Sequence, residues 1–309
     1  MSLDKPLVSI GMTAYNGEEY IAQTLESLLA QDYTDFELLI CDDASTDCTC
    51  EIILAYAQKD SRIHFHRNQK NIGQVSAWNQ VARLASGKYF KWASDHDCYD
   101  PRFISKCLEV FTSDPEIVLV YSLTQLIDMD ETPLGIMYDR FDTRRLKVIP
   151  RYKILAREIG VCNMMYGLIR REVLMKTPLF RNMIGPDNLI VTELSLYGTF
   201  AQIQEPLYIR RQNRSFESLE QMRERHLRVL CPERAEEMIH WPHSRLFREI
   251  GNEYLKAVIT CPAISLTEKI HATLITLSYF RRFHGTWWFG LSHIESLLLR
   301  FWQLTRQTS

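Results

Sequence analysis

Lys88-Tyr89-Phe90-Lys91-Trp92-Ala93-Ser94-Asp95-His96-Asp97 is an aromatic-rich strand candidate that runs straight into a cluster of acids. Side chains of an extended segment alternate between faces, so Asp95 and Asp97 are expected to point one way and His96 the other. Two convergent carboxylates suit a hard divalent cation, Mn²⁺ or Mg²⁺, that bridges to phosphate oxygens. The same residues also read as a solvated acidic turn ended by Pro101, and Asp128-Met129-Asp130 repeats the spacing in what reads as a loop after a strand. The flanking chain decides between the two readings.

Upstream, short apolar runs alternate with helical periodicity. Leu7 to Thr13 is apolar without internal charge, as in a strand buried on both faces. It stops at Ala14-Tyr15-Asn16-Gly17, after which Ile21, Leu25, Leu28 and Leu29 recur at helical spacing, with Glu18 and Glu19 placed in the first turn. Phe36 to Cys41 reads as the next strand and ends in Asp42-Asp43; Thr46 or Asp47 then caps a helix carrying Ile52, Ile53, Tyr56 and Ala57. Ile63 to His66 is a third strand, and a helix through Val75, Trp78, Asn79, Val81 and Ala82 is closed by Ser86-Gly87, where the opening stretch begins. Strand and helix repeated with short connections imply a parallel sheet covered on both faces, in which ligands bind beyond the carboxyl ends of the strands. Tyr15, Asp43 and the Asp95–Asp97 cluster all stand at such ends, which favours a site over a turn.

Downstream, Phe103, Ile104, Leu108 and Phe111 make a further helix, and Ile117 to Tyr121 a strand. Residues 128–160 carry a mixed pattern. Tyr166 to Arg171 reads as a strand, Ile184-Gly185-Pro186-Asp187 opens a helix that Gly198 terminates, and Ala201 to Arg211 ends the α/β part. Beyond about Ser215 the pattern is helical. The C-terminal stretch from Trp287 to Trp302 is apolar but interrupted by His293, Glu295 and Arg300, which disfavours a spanning helix. It reads as a helix that docks on its own domain, on a second copy, or flat on an anionic membrane surface, with Arg281, Arg282, Arg300 and Arg306 supplying the charge.

Composition narrows the class. The chain of 309 residues has 46% hydrophobic and 24% charged residues and a net charge of −2, which gives no global attraction for nucleic acid. Eight cysteines show no C-x-x-C pair, which argues against zinc and a disulfide framework and for reduced thiols in a cytoplasmic protein. No basic region followed by an apolar segment marks the N-terminus as a secretory signal. Neither G-x-G-x-x-G after the first strand nor G-x-x-x-x-G-K-[ST] occurs, so the usual dinucleotide and P-loop readings lack their glycines.

Val8-Ser9-Ile10-Gly11-Met12-Thr13-Ala14-Tyr15-Asn16, the run Asp32 to Asp47, Asn71-Ile72-Gly73, Asn79 and Ala85-Ser86-Gly87-Lys88-Tyr89 together resemble family 2 glycosyltransferases of the GT-A fold, over roughly residues 6–215. The resemblance implies an α/β, Rossmann-like, mostly parallel sheet with helices on both faces in residues 1–215 and a helical C-terminal extension in residues 216–309. It implies inverting transfer from a nucleotide-sugar, a UDP-sugar first, to a glycan or lipid-linked acceptor. Thr13, Tyr15 and Asp43 match positions that hold the base and ribose. Asp95 and Asp97 match the motif for metal and diphosphate, with Asp97 as the direct ligand and His96 breaking the usual acid pair. Asp187 matches the catalytic base, Pro186 replaces the acid often found before it, and an ordinary helix cap is the other reading of Asp187. Arg210 and Arg211 match a basic segment near the diphosphate, and Asn213 stands where many relatives carry a histidine. Those departures leave a second expectation, a catalytically silent relative that binds nucleotide or glycan as a scaffold. Residues 281–309 are the expected contact with the inner face of the membrane or with a second copy.

Overall fold

The computed structural model describes residues 5–138, 141–212 and 218–282. Its first strand, Val8–Ala14 (β1), is buried at every residue, as an apolar run without charges demands. One face of β1 places Val8, Ile10 and Met12 against Ile21, Leu25 and Leu28 of the helix Ile21–Leu29 (α1). Phe36–Asp42 (β2) pairs with it in parallel, followed by Thr49–Ala57 (α2), Ile63–Arg67 (β3) and Gln74–Leu84 (α3). On the other face α3 comes so close that a Cβ at Gly11 would lie 2.8 Å from Val81 Cγ2 and from Phe90 Cζ. Glycine here is a packing requirement: any side chain would push α3 off the sheet.

The opening stretch forms Tyr89–Ala93 (β4), buried throughout, with Tyr89 and Ala93 in the first core and Phe90 and Trp92 in the second. Cys98–Tyr99 (β5), Phe103–Ser113 (α4), Ile117–Ile127 (β6) and Pro133–Met137 (β7) follow, then Val148–Glu158 (α5) and a 3-10 turn at Asn163–Tyr166. Leu168–Arg170 (β8), Arg171–Leu174 (α6), Pro186–Leu194 (α7) and Thr199–Arg211 (β9) complete the sheet region. Strand order is β3-β2-β1-β4-β8-β6-β9-β5, with β7 on β6. The parallel expectation holds from β3 to β4 and again between β6 and β9; β8, β5 and β7 run antiparallel to their neighbours. The mixed sheet is a consequence of β8 entering between β4 and β6, so that the second half of the chain grows onto the first through a reversed strand. Helices α1, α2 and α4 cover one face, and α3, α5, α6 and α7 the other.

Glu18 and Glu19 precede α1 rather than lying in its first turn. Glu18 Oε2 instead accepts the Cys48 N–H at 2.8 Å, at the start of α2, where the helix dipole favours an anion. Asp47, not Thr46, bonds into that helix start, accepting from Thr49 N at 3.1 Å.

Leu219–Leu230 (α8), Ala235–Ile239 (α9), His243–Thr260 (α10) and Leu266–Arg282 (α11) follow β9. They share a core with the sheet region: Tyr152, Ile184, Leu189 and Leu196 pack with Leu227, Phe247, Ile250, Tyr254 and Val258. Arg181 ties the two parts together, 2.9 Å from Glu193 on α7 and 3.2 Å from Glu253 on α10. No described helix is long and apolar enough to cross a membrane. Asn213, the boundary at 215 and the proposed contact stretch from residue 283 onward lie outside the described residues.

Two stability outcomes follow from these packing facts. Glu193 is 3% exposed at its side chain, so Arg181→Ala leaves a buried carboxylate unpaired and should lower unfolding free energy by roughly 3–5 kcal/mol in urea denaturation. Lys91, on β4, is fully buried; its amine has no hydrogen-bond partner among the described residues and lies 3.4 Å from the Tyr99 ring centre. Burial pushes its pKa well below the usual lysine range, only partly opposed by Cys107 and Asp97. The unfolded chain therefore binds the proton more readily, and wild-type stability should rise with pH up to about 10.4. Lys91→Met should melt higher than wild type at pH 7, with the gap closing as pH approaches that value.

Candidate active site

The loops that leave β1, β2 and β4 meet at the carboxyl end of the sheet, and the polar residues in them bond mainly to each other. Asn16 adopts a left-handed backbone at φ 52°, a region asparagine tolerates, and its Oδ1 accepts the Thr46 N–H at 2.8 Å. Asn16 N donates to Ser45 Oγ at 3.0 Å and Gly17 N to Thr49 Oγ1 at 2.8 Å, so the first two loops interlock. Ala44 is also left-handed, at φ 64°, a conformation that costs an alanine roughly 1–2 kcal/mol. Its neighbours hold it there. Asp42 Oδ1 accepts Ser45 N at 3.1 Å, and Asp43 is 4% exposed, with Oδ1 accepting from Asn68 Nδ2 at 2.8 Å and Ile72 N at 2.9 Å and Oδ2 from Gly73 N at 3.0 Å. Asp43 thus fixes the turn between β3 and α3. Thr13 is buried at 9% exposure, whereas Tyr15, at 49%, offers its ring at the lip of the crevice.

Strand β4 ends at Ala93 and the chain bends at Asp95-His96, so the two-residue alternation expected for Asp95 and Asp97 stops before it reaches them. The carboxylates diverge instead. Asp95 turns toward the first loop, where Oδ2 accepts the Tyr15 N–H at 3.2 Å. A Cβ at Gly17 would lie 2.7 Å from that oxygen, so the glycine leaves Asp95 its space. Asp97 turns inward and is 2% exposed: Oδ2 accepts from Ser94 Oγ at 2.7 Å and from Tyr208 OH at 2.5 Å, and Oδ1 from Arg211 N at 2.8 Å. His96 lies between them with its side chain 49% exposed, Nδ1 2.9 Å from Asp95 Oδ1 and Nε2 4.0 Å from Asp97 Oδ1. Burial alone would push the imidazole pKa down; the Asp95 hydrogen bond and both carboxylate charges outweigh it and hold it above the usual range.

The two arginines at the end of β9 part company. Arg211 is 1% exposed at its side chain, donates to the carbonyls of His96 at 3.2 Å and Met129 at 3.5 Å and to Gln23 Oε1, and lies 4.2 Å from the Tyr20 ring centre. Arg210 borders the crevice and donates to Asn163 Oδ1 at 3.1 Å. Cys162 Sγ, next along the same turn, donates to the Asp187 carbonyl at 3.7 Å, so this turn links Arg210 to the start of α7, and the Arg210 charge lowers the pKa of both His96 and Asp187. Asp187 sits in the first turn of α7 behind Pro186, which fits the first helical position because it needs no N–H there. Desolvation raises the Asp187 pKa, against the Asn188 amide, its own amide and Arg210. The Tyr166 ring centre lies 5.3 Å from that of Tyr208, and its hydroxyl is pushed up by burial and by Asp97, Asp187 and Asp95. Asn163 and Tyr166 carry no signal in sequence; only the 3-10 turn brings them here.

Two surface pockets lie elsewhere. One, of about 450 Å³, is lined by Lys5, Lys88 and Arg171 near the opposite ends of the strands, and the other, of about 570 Å³, runs along α3. Neither contains Asp95, His96, Asp187 or Arg210, and chemistry rather than size marks the crevice as the site. Among the described residues no three histidine, cysteine or acidic side chains converge as a ready cation centre. The cluster does fit a cation that takes most of its ligands from elsewhere: each Asp95 oxygen keeps a lone pair beyond its contact with the Tyr15 amide or the His96 ring, and His96 adds an exposed nitrogen. Cations bound with phosphates commonly use only one or two protein groups and complete their shell with phosphate oxygens and water.

The chain is similar to known proteins. A stretch of 125 residues is 39% identical to the chondroitin synthase of Escherichia coli, covering 40% of this chain and 18% of that protein. Over 130 residues it is 34% identical to the putative teichuronic acid biosynthesis glycosyltransferase TuaG of Bacillus subtilis (strain 168), covering 42% of this chain and 51% of that one. The chain thus spans about half the length of these curated relatives or less. Among solved structures, S. aureus TarS 1-349 in complex with UDP-GlcNAc superposes with a TM-score of 0.65 at 15% identity, covering 90% of this chain and 74% of that one. The mannosyltransferase PcManGT from Pyrobaculum calidifontis, in complex with GDP-Man and Mn²⁺, gives a TM-score of 0.53 at 15% identity over 96% of this chain and 81% of that one. At such identities the likeness concerns the fold, which is GT-A. Residues 9–177, more than half of the chain, match the family described as Glycosyl transferase family 2, and the chain belongs to that family.

Proposed function

We propose that this chain transfers a sugar from a nucleotide-diphospho-sugar, a UDP-sugar first, to a hydroxyl of a glycan or lipid-linked acceptor, with inversion at the anomeric carbon. The observation that carries the reading is that one turn joins the two sides: Arg210, at the end of β9, donates to Asn163 Oδ1 at 3.1 Å, and Cys162 Sγ donates to the Asp187 carbonyl at 3.7 Å. Tyr15 offers an exposed ring for the base, Thr13 lies beneath it, and Asp43 shapes the ribose side through the turn it fixes. Support for UDP comes from the TarS complexes with UDP and UDP-GlcNAc, and support for a cation from the Mn²⁺ of the mannosyltransferase.

The chemistry asks for two things at once. Asp187, in its ionised form, accepts the acceptor hydroxyl proton, and the freed oxygen attacks the anomeric carbon from the side opposite the diphosphate. The bond from that carbon to the diphosphate oxygen breaks, its electron pair stays on the leaving nucleoside diphosphate, and the proton stays on Asp187. Arg210 faces the developing negative charge, and Arg211 supports it from behind by fixing the His96 carbonyl. Asp95 and Asp97 are the residues that would hold a divalent cation, Mn²⁺ or Mg²⁺, and such a cation would supply further neutralisation of the leaving group.

Calorimetry of UDP with and without Mn²⁺ should give binding that the cation strengthens; absence of any UDP binding would sink the reading. Asp187→Asn should lose about 10²–10⁴-fold in kcat with UDP affinity retained. Desolvation disfavours the ionised carboxyl in the fold, so the acid limb of kcat/KM should fall above the usual aspartate value of about 3.9 and vanish in the variant. By the same sign the variant should be more stable than wild type at pH 7, where the native carboxylate is penalised. A helix cap would give the opposite: lost stability and unchanged turnover.

A further inference from the structure

His96 is the member of the acid cluster to which the proposed transfer assigns no role, and it is the most open of the three. Its side chain is 49% exposed, against 16% for Asp95 and 2% for Asp97. Asp97 is held in place by three hydrogen bonds. The His96 ring is oriented: Nδ1 stands 2.9 Å from Asp95 Oδ1. A neutral imidazole that donates Nδ1–H to a carboxylate carries its lone pair on Nε2, the arrangement by which carboxylates orient metal-bound histidines and fix their tautomer. That Nε2 lies 4.0 Å from Asp97 Oδ1, which among the described residues accepts the Arg211 amide and keeps a second lone pair.

We propose that His96 is a direct ligand, through Nε2, of the divalent cation that accompanies the donor diphosphate, and that it shifts cation choice away from Mg²⁺ toward transition-metal cations such as Mn²⁺ and Co²⁺. The inference rests on the nucleotide-sugar reading and deepens it. Mg²⁺ prefers oxygen ligands in a strict octahedron and gives up water reluctantly, whereas imidazole affinity rises along the divalent first-row series. A site built of two carboxylates would favour Mg²⁺; an imidazole set between them does not. Asp95 then acts on the ring as well as on the cation, so its removal should cost affinity in both ways.

The test is Mn²⁺ titrated into the full chain with UDP present and followed by electron paramagnetic resonance, with pulsed measurements reading nitrogen coupling to the metal. Wild type should show imidazole nitrogen coupling. His96→Ala should lose that signal and bind Mn²⁺ at least about tenfold more weakly, with an unchanged melting temperature because the ring is half-exposed. His96→Asp should recover binding, without the nitrogen signal, and let Mg²⁺ compete more effectively. Absence of nitrogen coupling in wild type, or equal Mn²⁺ affinity in His96→Ala, overturns the inference while metal-linked UDP binding keeps the broader reading. A chain that binds no UDP overturns that reading and this inference with it.

Discussion

A buried carboxylate holds the crevice together. Asp97 comes from the loop after β4, and its three hydrogen bonds reach its own loop through Ser94 and the far end of the sheet through Tyr208 and the Arg211 amide. Hydrogen bonds to a charged group contribute about 1.5–3 kcal/mol each, and a buried carboxylate left without them would be expensive. The requirement to satisfy it brings the last residues of β9 against the acid cluster. Arg210 then has to face the crevice, because alternation along the strand has already sent Arg211 inward to the His96 carbonyl and the Tyr20 ring.

The same logic of mutual satisfaction builds the proposed nucleotide side. Asp43, Asn16, Ser45 and Thr49 bond to neighbouring loops, and they hold Asn16 and Ala44 in left-handed backbone that alanine disfavours. A residue held in such a conformation by its surroundings is a common mark of a preorganised site. Here it leaves Tyr15 as the exposed aromatic at the edge, with its amide tied to Asp95. The proposed donor side is therefore a set of loops that fix each other through their own hydrogen bonds.

The acceptor side depends on the second half of the chain. Helix α7 carries Asp187 in its first turn and is buried along most of its length between the sheet and α10. The C-terminal helices thus set the position of the proposed base through the core they share with α7, and the Arg181 pairs with Glu193 and Glu253 tie the same two helices. Exposed Leu266, Ile270, Leu274 and Leu277 run along α11, toward the stretch that sequence singles out as a contact element.

Sequence by itself determined the strands β1 to β4, the helices between them and the presence of polar residues at the strand ends, because an unbroken apolar run and a 3.6-residue period report burial directly. Resemblance to a family pattern singled out Asp187 and Arg210 as the residues proposed for the base and for the diphosphate side. What only the tertiary structure decided is which way those groups turn. Periodicity put Asp95 and Asp97 on one face, but a bend at residues 95–96 ends the strand, and hydrogen bonds from β9, more than a hundred residues away, draw Asp97 inward. The reversed strand β8, the burial of Lys91, and the arrival of Asn163 and Tyr166 at the crevice have the same origin. Contacts between segments distant in the chain fix them, and a local pattern carries no record of its distant partner.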